Sequence, residues 1–179
     1  MSDHFFVVTG GPGAGKTSLI TEFARRGFHT IPESGRTIIR EEMQSGGSAL
    51  PWADRMAYAE RMLERDLSAH SAAQALSGPV IFDRGIPDIP GYLTLCGLPV
   101  PPHVAATTTT HRYNRRVFLA PFWDAIFEQD AERKQDRAEA EATCALMHKT
   151  YAALGYDITE LPRTDIASRA DFVAAQLVL

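Results

Sequence analysis

A chain of 179 residues, 45% apolar and 22% charged, is long enough to bury a full core and has the composition of an ordinary soluble globular protein. Its net charge of −4 argues against nucleic acid or an anionic membrane as the main partner. The two cysteines, Cys96 and Cys144, are far apart and form no C-x-x-C pair, so they imply neither a disulfide framework nor a zinc site. No apolar stretch is long enough for a bilayer and no secretory pattern opens the chain, which makes a reducing cytoplasm the expected location.

Residues 5–9 (FFVVT) are a short apolar run ending at glycines, the pattern of a buried parallel strand. Lys16 to Arg26 reads as a helix with Leu19, Ile20 and Phe23 on one face, closed by Gly27. A weaker strand is expected over 28–32, then a helix over 34–45 that stops at Gly46-Gly47. A long helical pattern runs from Ala53 to about Leu76, and Ser77-Gly78-Pro79 breaks it before a third strand at 80–83 (VIFD). The stretch 85–102 is rich in proline and glycine and is assigned no element. Residues 103–111 read as helix despite four threonines, which are poor helix formers. A fourth strand follows at 115–120 and a segment of aromatics and charges at 121–137. A helix then ends near Gly155, with a fifth strand at 156–161 and a closing helix at 165–178.

No internal repeat or linker divides the chain, so residues 1–179 are expected to form one domain with a lid-like segment at about 120–137. Five strands alternating with helices predict an α/β fold of three layers, a parallel sheet covered by helices on both faces. Ligands of such sheets bind beyond the carboxyl ends of the strands, where every motif of this chain lies.

The first motif is GGPGAGKT, which contains G-x-x-x-x-G-K-[ST] with Gly10, Gly15, Lys16 and Thr17 in the required places. Glycines let the backbone curl so that successive N–H groups face phosphate oxygens, and the helix starting at Lys16 adds its positive end. A nucleotide is therefore expected on Gly11, Gly13, Ala14, Gly15, Lys16, Thr17 and Ser18. Lys16 would reach the β- and γ-phosphates and the Thr17 hydroxyl would hold Mg²⁺. A preceding strand and a following helix set this motif apart from a chance glycine-rich turn.

Asp83 and Arg84 end the third strand. An acid there commonly belongs to the Mg²⁺ shell of a phosphate-loop protein, the alternative being a loop cap beside a surface ion pair. Ring-forming hydrolytic ATPases usually place Glu after this Asp to activate water, whereas this chain has Arg84, a cation suited to an acceptor or a phosphate. The guanine-reading N-K-x-D signature is absent, and ATP is taken as the nucleotide. Glu33 ends the second strand with Arg36 one helical turn on. Glu33 could take a proton from an acceptor hydroxyl, or it could instead belong to a helix-start cap with Ser34. Arg133 and Arg137 share a face if their segment is helical and could close over the nucleotide. The alternative is a solvated ion-pair network with Glu132, Asp136 and Glu139. Trp123, Phe122 and Phe127 suit a core better than a base stack.

Taken in order and spacing, the phosphate loop, IPESGR, FDRGIPD, VFLAPFW, EQDAERKQDRAEA and GYDITELP resemble a family of small AAA-type P-loop ATPases and kinases. The set is also similar to the kinase domain of bacterial bifunctional nicotinamide riboside kinases. The resemblance implies the nucleoside and nucleotide kinase fold with sheet order 2-3-1-4-5. It also implies that Glu33 acts like the base of deoxynucleoside kinases, that Asp83-Arg84 matches their acid–arginine pair, and that Arg133 and Arg137 are lid arginines. The AAA likeness is loose, since an Asp-Glu pair and a second helical lid domain are both missing from the sequence.

Together these readings make the expected function an ATP- and Mg²⁺-dependent phosphotransferase that moves the γ-phosphoryl to a small hydroxyl-bearing, nucleoside-like acceptor. Lys16, Glu33, Asp83, Arg84, Arg133 and Arg137 would be catalytic, Glu33, Arg36 and Arg84 would bind the acceptor, and Thr17 and Asp83 would hold the metal. The alternatives are a slow NTPase switch and a noncatalytic nucleotide- or phospho-ligand-binding module. Residues 46–60 and 86–104 are expected to line the acceptor pocket. Neither the acceptor's identity nor the oligomeric state is encoded in any motif.

Overall fold

A computed structural model describes residues 2–126 and 137–177. In chain order they form β1 (Phe5–Gly10), α1 (Lys16–Arg25), β2 (His29–Ile31), α2 (Ser34–Ser45), α3 (Arg55–Ala73), β3 (Val80–Asp83), α4 (Asp88–Leu95), α5 (Pro102–Thr110), β4 (Arg116–Ala120), a 3₁₀ turn (Asp124–Ile126), α6 (Arg137–Ala153), β5 (Asp157–Glu160) and α7 (Ile166–Ala174). The five strands form one parallel sheet in the order β2-β3-β1-β4-β5, as the sequence resemblance implied.

Why β1 is an unbroken apolar run is plain from its place at the centre of the sheet, where all six residues are buried. Its side chains alternate between faces. Phe5 and Val7 join Leu63, Ile89, Leu93, Val104 and Tyr151 in one core layer. Phe6 and Val8 join Leu19, Phe23, Ala170 and Val173 in the other. The outer strands β2 and β5 are partly exposed, which accounts for their weaker sequence signal.

One helix goes beyond the sequence reading. The proline- and glycine-rich stretch 85–102, to which it assigns no element, contains α4. Pro90 falls in the first turn of that helix, where a backbone N–H has no intrahelical partner to lose. Gly91 is buried against Met147 of α6, and an added Cβ would lie 2.8 Å from the Met147 Cε. Proline and glycine here serve a helix start and a close helix contact, which composition alone reads as loop. The threonine-rich α5 does form, each of Thr107 to Thr110 turning its hydroxyl onto a carbonyl three or four residues back. Helix α3 starts two residues later than expected, at an Asp54 carboxylate that accepts from the Ala57 N–H at 2.9 Å. Residues 127–136 of the predicted lid lie outside the described residues, and Phe127, Glu132, Arg133 and Asp136 lie there with them.

Candidate active site

The parallel order sets β3 against β1 on one side and β4 on the other, so the carboxyl ends of all three open beside the phosphate loop. The loop leaves β1 at Gly10, where the chain runs too close to β4 for any side chain. A Cβ at Gly10 would lie 2.3 Å from the Ala120 carbonyl oxygen. At its far end Gly15 has φ 78°, a left-handed conformation that starts α1. Lys16 is 6% exposed, and its Nζ arches back to donate to the Gly11 carbonyl at 2.5 Å. Burial is the main reason its pKa falls to about 8. Arg84 adds to the fall, while Asp83, Glu33 and Asp88 oppose it. Thr17 and Ser18 stand exposed in the first turn of α1.

Asp83 pairs in register with Val8 of β1, which brings it to the loop's flank. It is 5% exposed, and its Oδ1 is buried with no hydrogen-bond partner. Burial, reinforced by Glu33 and opposed by Lys16 and Arg84, pushes its pKa up to about 6. Arg84 follows with φ 69°, the sole non-glycine at positive φ among the described residues. That turn sends its guanidinium across the strand ends. Nη1 donates to the Gly10 carbonyl at 3.0 Å and to Asp88 Oδ1 at 2.9 Å, and Nε lies 3.3 Å from Glu33 Oε1. Burial presses the Arg84 pKa down, but Glu33, Asp88 and Asp83 together outweigh it and hold the side chain charged.

Glu33 occupies the N-cap position of α2, yet its side chain caps nothing. The carboxylate turns instead toward Arg84, with Arg36 Nε 3.6 Å from its other oxygen. The first acid, the second acid, the arginine after it and Lys16 therefore meet at one site.

Sequence reasoning missed the acid that holds this cluster together. Asp88 is buried and accepts four hydrogen bonds, from the Thr9 hydroxyl (2.7 Å), Arg84 Nη1 (2.9 Å), the Gly85 N–H (3.0 Å) and the Tyr151 hydroxyl (2.7 Å). A signal existed in FDRGIPD, where Arg84 and Asp88 stand four apart, but the neighbouring prolines concealed the helix start. Asp66 of α3 also went unnoticed. Its carboxylate bonds to Ser34 at the start of α2, with Glu33, Asp88 and Arg84 near enough to act on its charge. Burial first, then Asp88 and Glu33, push its pKa up to about 7.

Arg137 stands apart from this cluster. Its side chain is 60% exposed at the start of α6, paired with Asp124 (2.9 Å) and Glu141 (3.3 Å) and lying over the Phe122 ring. The pairing is of the exposed kind weighed against a lid role, but its described partners, Asp124 and Glu141, are not among the Glu132, Asp136 and Glu139 named from the sequence. Among the described residues no group of three or more His, Cys, Asp or Glu side chains could hold a metal ion alone. Mg²⁺ sites on phosphate loops usually draw on one or two protein oxygens, with phosphates and water completing the shell. The buried, unbonded Asp83 Oδ1 fits that demand.

The model of a family described as an AAA domain matches residues 5–169. This chain belongs to that AAA domain family. No curated protein matches the chain. Among solved structures, it is similar to deoxyadenosine kinase from M. mycoides. With the products dCMP and a flexible dCDP bound, that enzyme aligns at a TM-score of 0.62 and 13% identity, covering 97% of each chain. With dATP bound the values are 0.58 and 12%, covering 97% of this chain and 98% of that one. With dCTP bound they are 0.62 and 13%, at the same coverage. At these identities the likeness shows a shared fold. No described helix is long and apolar enough to cross a membrane.

Proposed function

We propose that this AAA domain is an ATP- and Mg²⁺-dependent small-molecule kinase that transfers the γ-phosphoryl to a hydroxyl of a nucleoside-like acceptor. The observation that carries the reading is the posture of Glu33. A carboxylate that could have capped α2 is instead held by Arg84 beside the phosphate loop, 3.3 Å from its Nε. An acid in that place can orient an acceptor hydroxyl and take its proton as the phosphoryl transfers. Arg84 and Arg36 fix the carboxylate from two sides, at 3.3 and 3.6 Å. Its position directly after Asp83 also lacks the Glu expected of a water-activating ATPase. The fold shared with deoxyadenosine kinase supports a nucleoside-like acceptor.

In this reading the loop amides from Gly11 to Ser18 and the Lys16 ammonium hold the triphosphate. Bound phosphate adds negative charge beside Lys16 and favours its protonated form, against the burial that lowers its pKa to about 8. Asp83 and the Thr17 hydroxyl would hold Mg²⁺, which neutralises phosphate charge when bound. Arg84 and Arg36 set the Glu33 carboxylate and face the acceptor. Arg133 and Arg137 would close over the γ-phosphate. The acceptor would lie against residues 46–60 and 86–104. Part of the first segment is anchored where the Ala49 N–H donates to the buried Glu42 carboxylate at 3.0 Å. The whole chain acts as one kinase domain, with no nucleic acid or membrane partner.

The test is ADP release from Mg-ATP, alone and with nucleosides, deoxynucleosides, nicotinamide riboside and sugars, beside Glu33→Gln and Arg133→Ala variants. The kinase reading expects one acceptor class to raise the rate and both variants to lose that rise. A basal rate indifferent to every acceptor, and lost in Lys16→Ala, would make the protein an NTPase switch. Nucleotide binding without turnover would make it a binding module.

A further inference from the structure

Arg169 of α7 has no part in the site described above, yet it is the largest fully buried side chain among the described residues. Its Nη1 donates to the Ala14 carbonyl of the phosphate loop at 2.8 Å. Its Nε donates to the Pro162 carbonyl at 2.8 Å. Its Nη2 is buried with no hydrogen-bond partner. The Trp123 ring lies 5.2 Å from the guanidinium carbon, and Ile126 and Ile166 lie beside it against Gly15. Among the described residues no carboxylate is bonded to it. Burial lowers its pKa, and the Arg163 cation adds to the fall.

A fully buried cation with no carboxylate bonded to it among the described residues costs free energy and needs a reason to persist. The Ala14 carbonyl gives one. It shares a trans peptide with the Gly15 N–H, so holding the oxygen on one side turns that N–H to the other. Gly15 starts α1, where such N–H groups meet phosphate oxygens. The anion that would balance the guanidinium is then the polyphosphate on the opposite face of the same peptide.

We propose that Arg169 is a positioning residue for polyphosphate binding: it locks the Ala14–Gly15 peptide with its N–H facing the phosphates, and the bound phosphates compensate its buried charge. The inference rests on the nucleotide-binding reading of the loop. It adds a residue outside the phosphate-loop motif, contributed by the last helix of the chain.

The experiment is calorimetric titration of the full chain with Mg-ATP and, separately, with tripolyphosphate, for wild type, Arg169→Gln and Arg169→Lys. The melting temperature of each is recorded with and without ligand. A lost charge-assisted hydrogen bond predicts affinity for both ligands roughly ten- to a hundred-fold weaker in Arg169→Gln. Arg169→Lys keeps the charge but cannot bond both carbonyls with a planar fork, so it falls between the two. The ligand-free melting temperature should stay near wild type in at least one variant, while the ligand-induced rise shrinks in both. Wild-type affinity for tripolyphosphate in either folded variant overturns the proposal. So does a fall in ligand-free melting temperature with an undiminished ligand-induced rise, the mark of a purely structural arginine. A wild-type chain that binds neither ligand refutes the nucleotide reading itself, and the inference with it.

Discussion

Asp66→Asn should stabilise the ligand-free protein, and by an amount that grows with pH. The Asp66 carboxyl titrates at about 7 in the fold against 3.8 ordinarily, mainly because it is buried, with Asp88 and Glu33 nearby. A folded pKa raised above the unfolded value means that, between those two pH values, the native state holds a proton that the unfolded state has released. Stability therefore falls as pH rises from about 4 to about 7, and the loss is complete above that. Slightly more than three pKa units at about 1.4 kcal/mol each is a cost of about 4 kcal/mol at alkaline pH. Asparagine keeps an acceptor for Ser34 and has no charge to bury. Urea denaturation of both proteins at several points between about pH 4 and pH 8 should show their difference widening by about 4 kcal/mol. A difference that stays flat over that range would refute the placement of an enclosed, proton-bearing Asp66 beside Glu33. A parallel fall in both proteins would assign the titration to another group.

Asp88→Asn should act oppositely. An amide cannot accept from Thr9, Arg84, Gly85 and Tyr151 together, and it leaves Arg84 with one fewer counter-charge. A loss of about 2–4 kcal/mol is expected in urea denaturation at neutral pH, and a change under about 0.5 kcal/mol would contradict the hub role. Gly10→Ala should unfold the loop or leave the protein insoluble, because its Cβ would lie 2.3 Å from the Ala120 carbonyl oxygen; an unchanged melting temperature would argue against that approach of β1 and β4. Arg137→Ala removes ion pairs whose side chains are half or more exposed, so its melting temperature should match wild type within the shift of about 1 kcal/mol. A fall in acceptor-stimulated turnover at that unchanged stability would support the lid role.

What the sequence could show depended on how local each feature was. β1, the phosphate loop and α1 are contiguous, and their glycines and Lys16 stand at spacings that only a phosphate-binding turn demands. The convergence of Glu33, Asp83 and Arg84 was legible as two neighbouring strand ends in a parallel sheet, because strand ends are a topological property. Which way Glu33 turned was not legible, since a cap and an ion pair read alike in IPESGR. The choice is made by Arg84, whose positive φ carries it across to Glu33. Asp66 and Arg169 were invisible, and Asp88 was signalled only by its spacing from Arg84, because their other partners lie far away in the chain. Asp88 reaches back 79 residues to Thr9, and Arg169 reaches back 155 residues to Ala14. α4 was hidden because Pro90 and Gly91 are helix breakers in isolation, and only the packing of Met147 makes the glycine an asset.

The central claim concerns where the γ-phosphoryl goes, and its product can be counted. Phosphorus NMR of a reaction with Mg-ATP and an excess of the acceptor that most stimulates ADP release should show a phosphate monoester. That ester should match the ADP formed, with little inorganic phosphate. In Glu33→Gln the ester should vanish while ATP still binds. ADP matched by inorganic phosphate, with no ester from any acceptor, would contradict the kinase and identify the site as one that delivers the phosphoryl group to water.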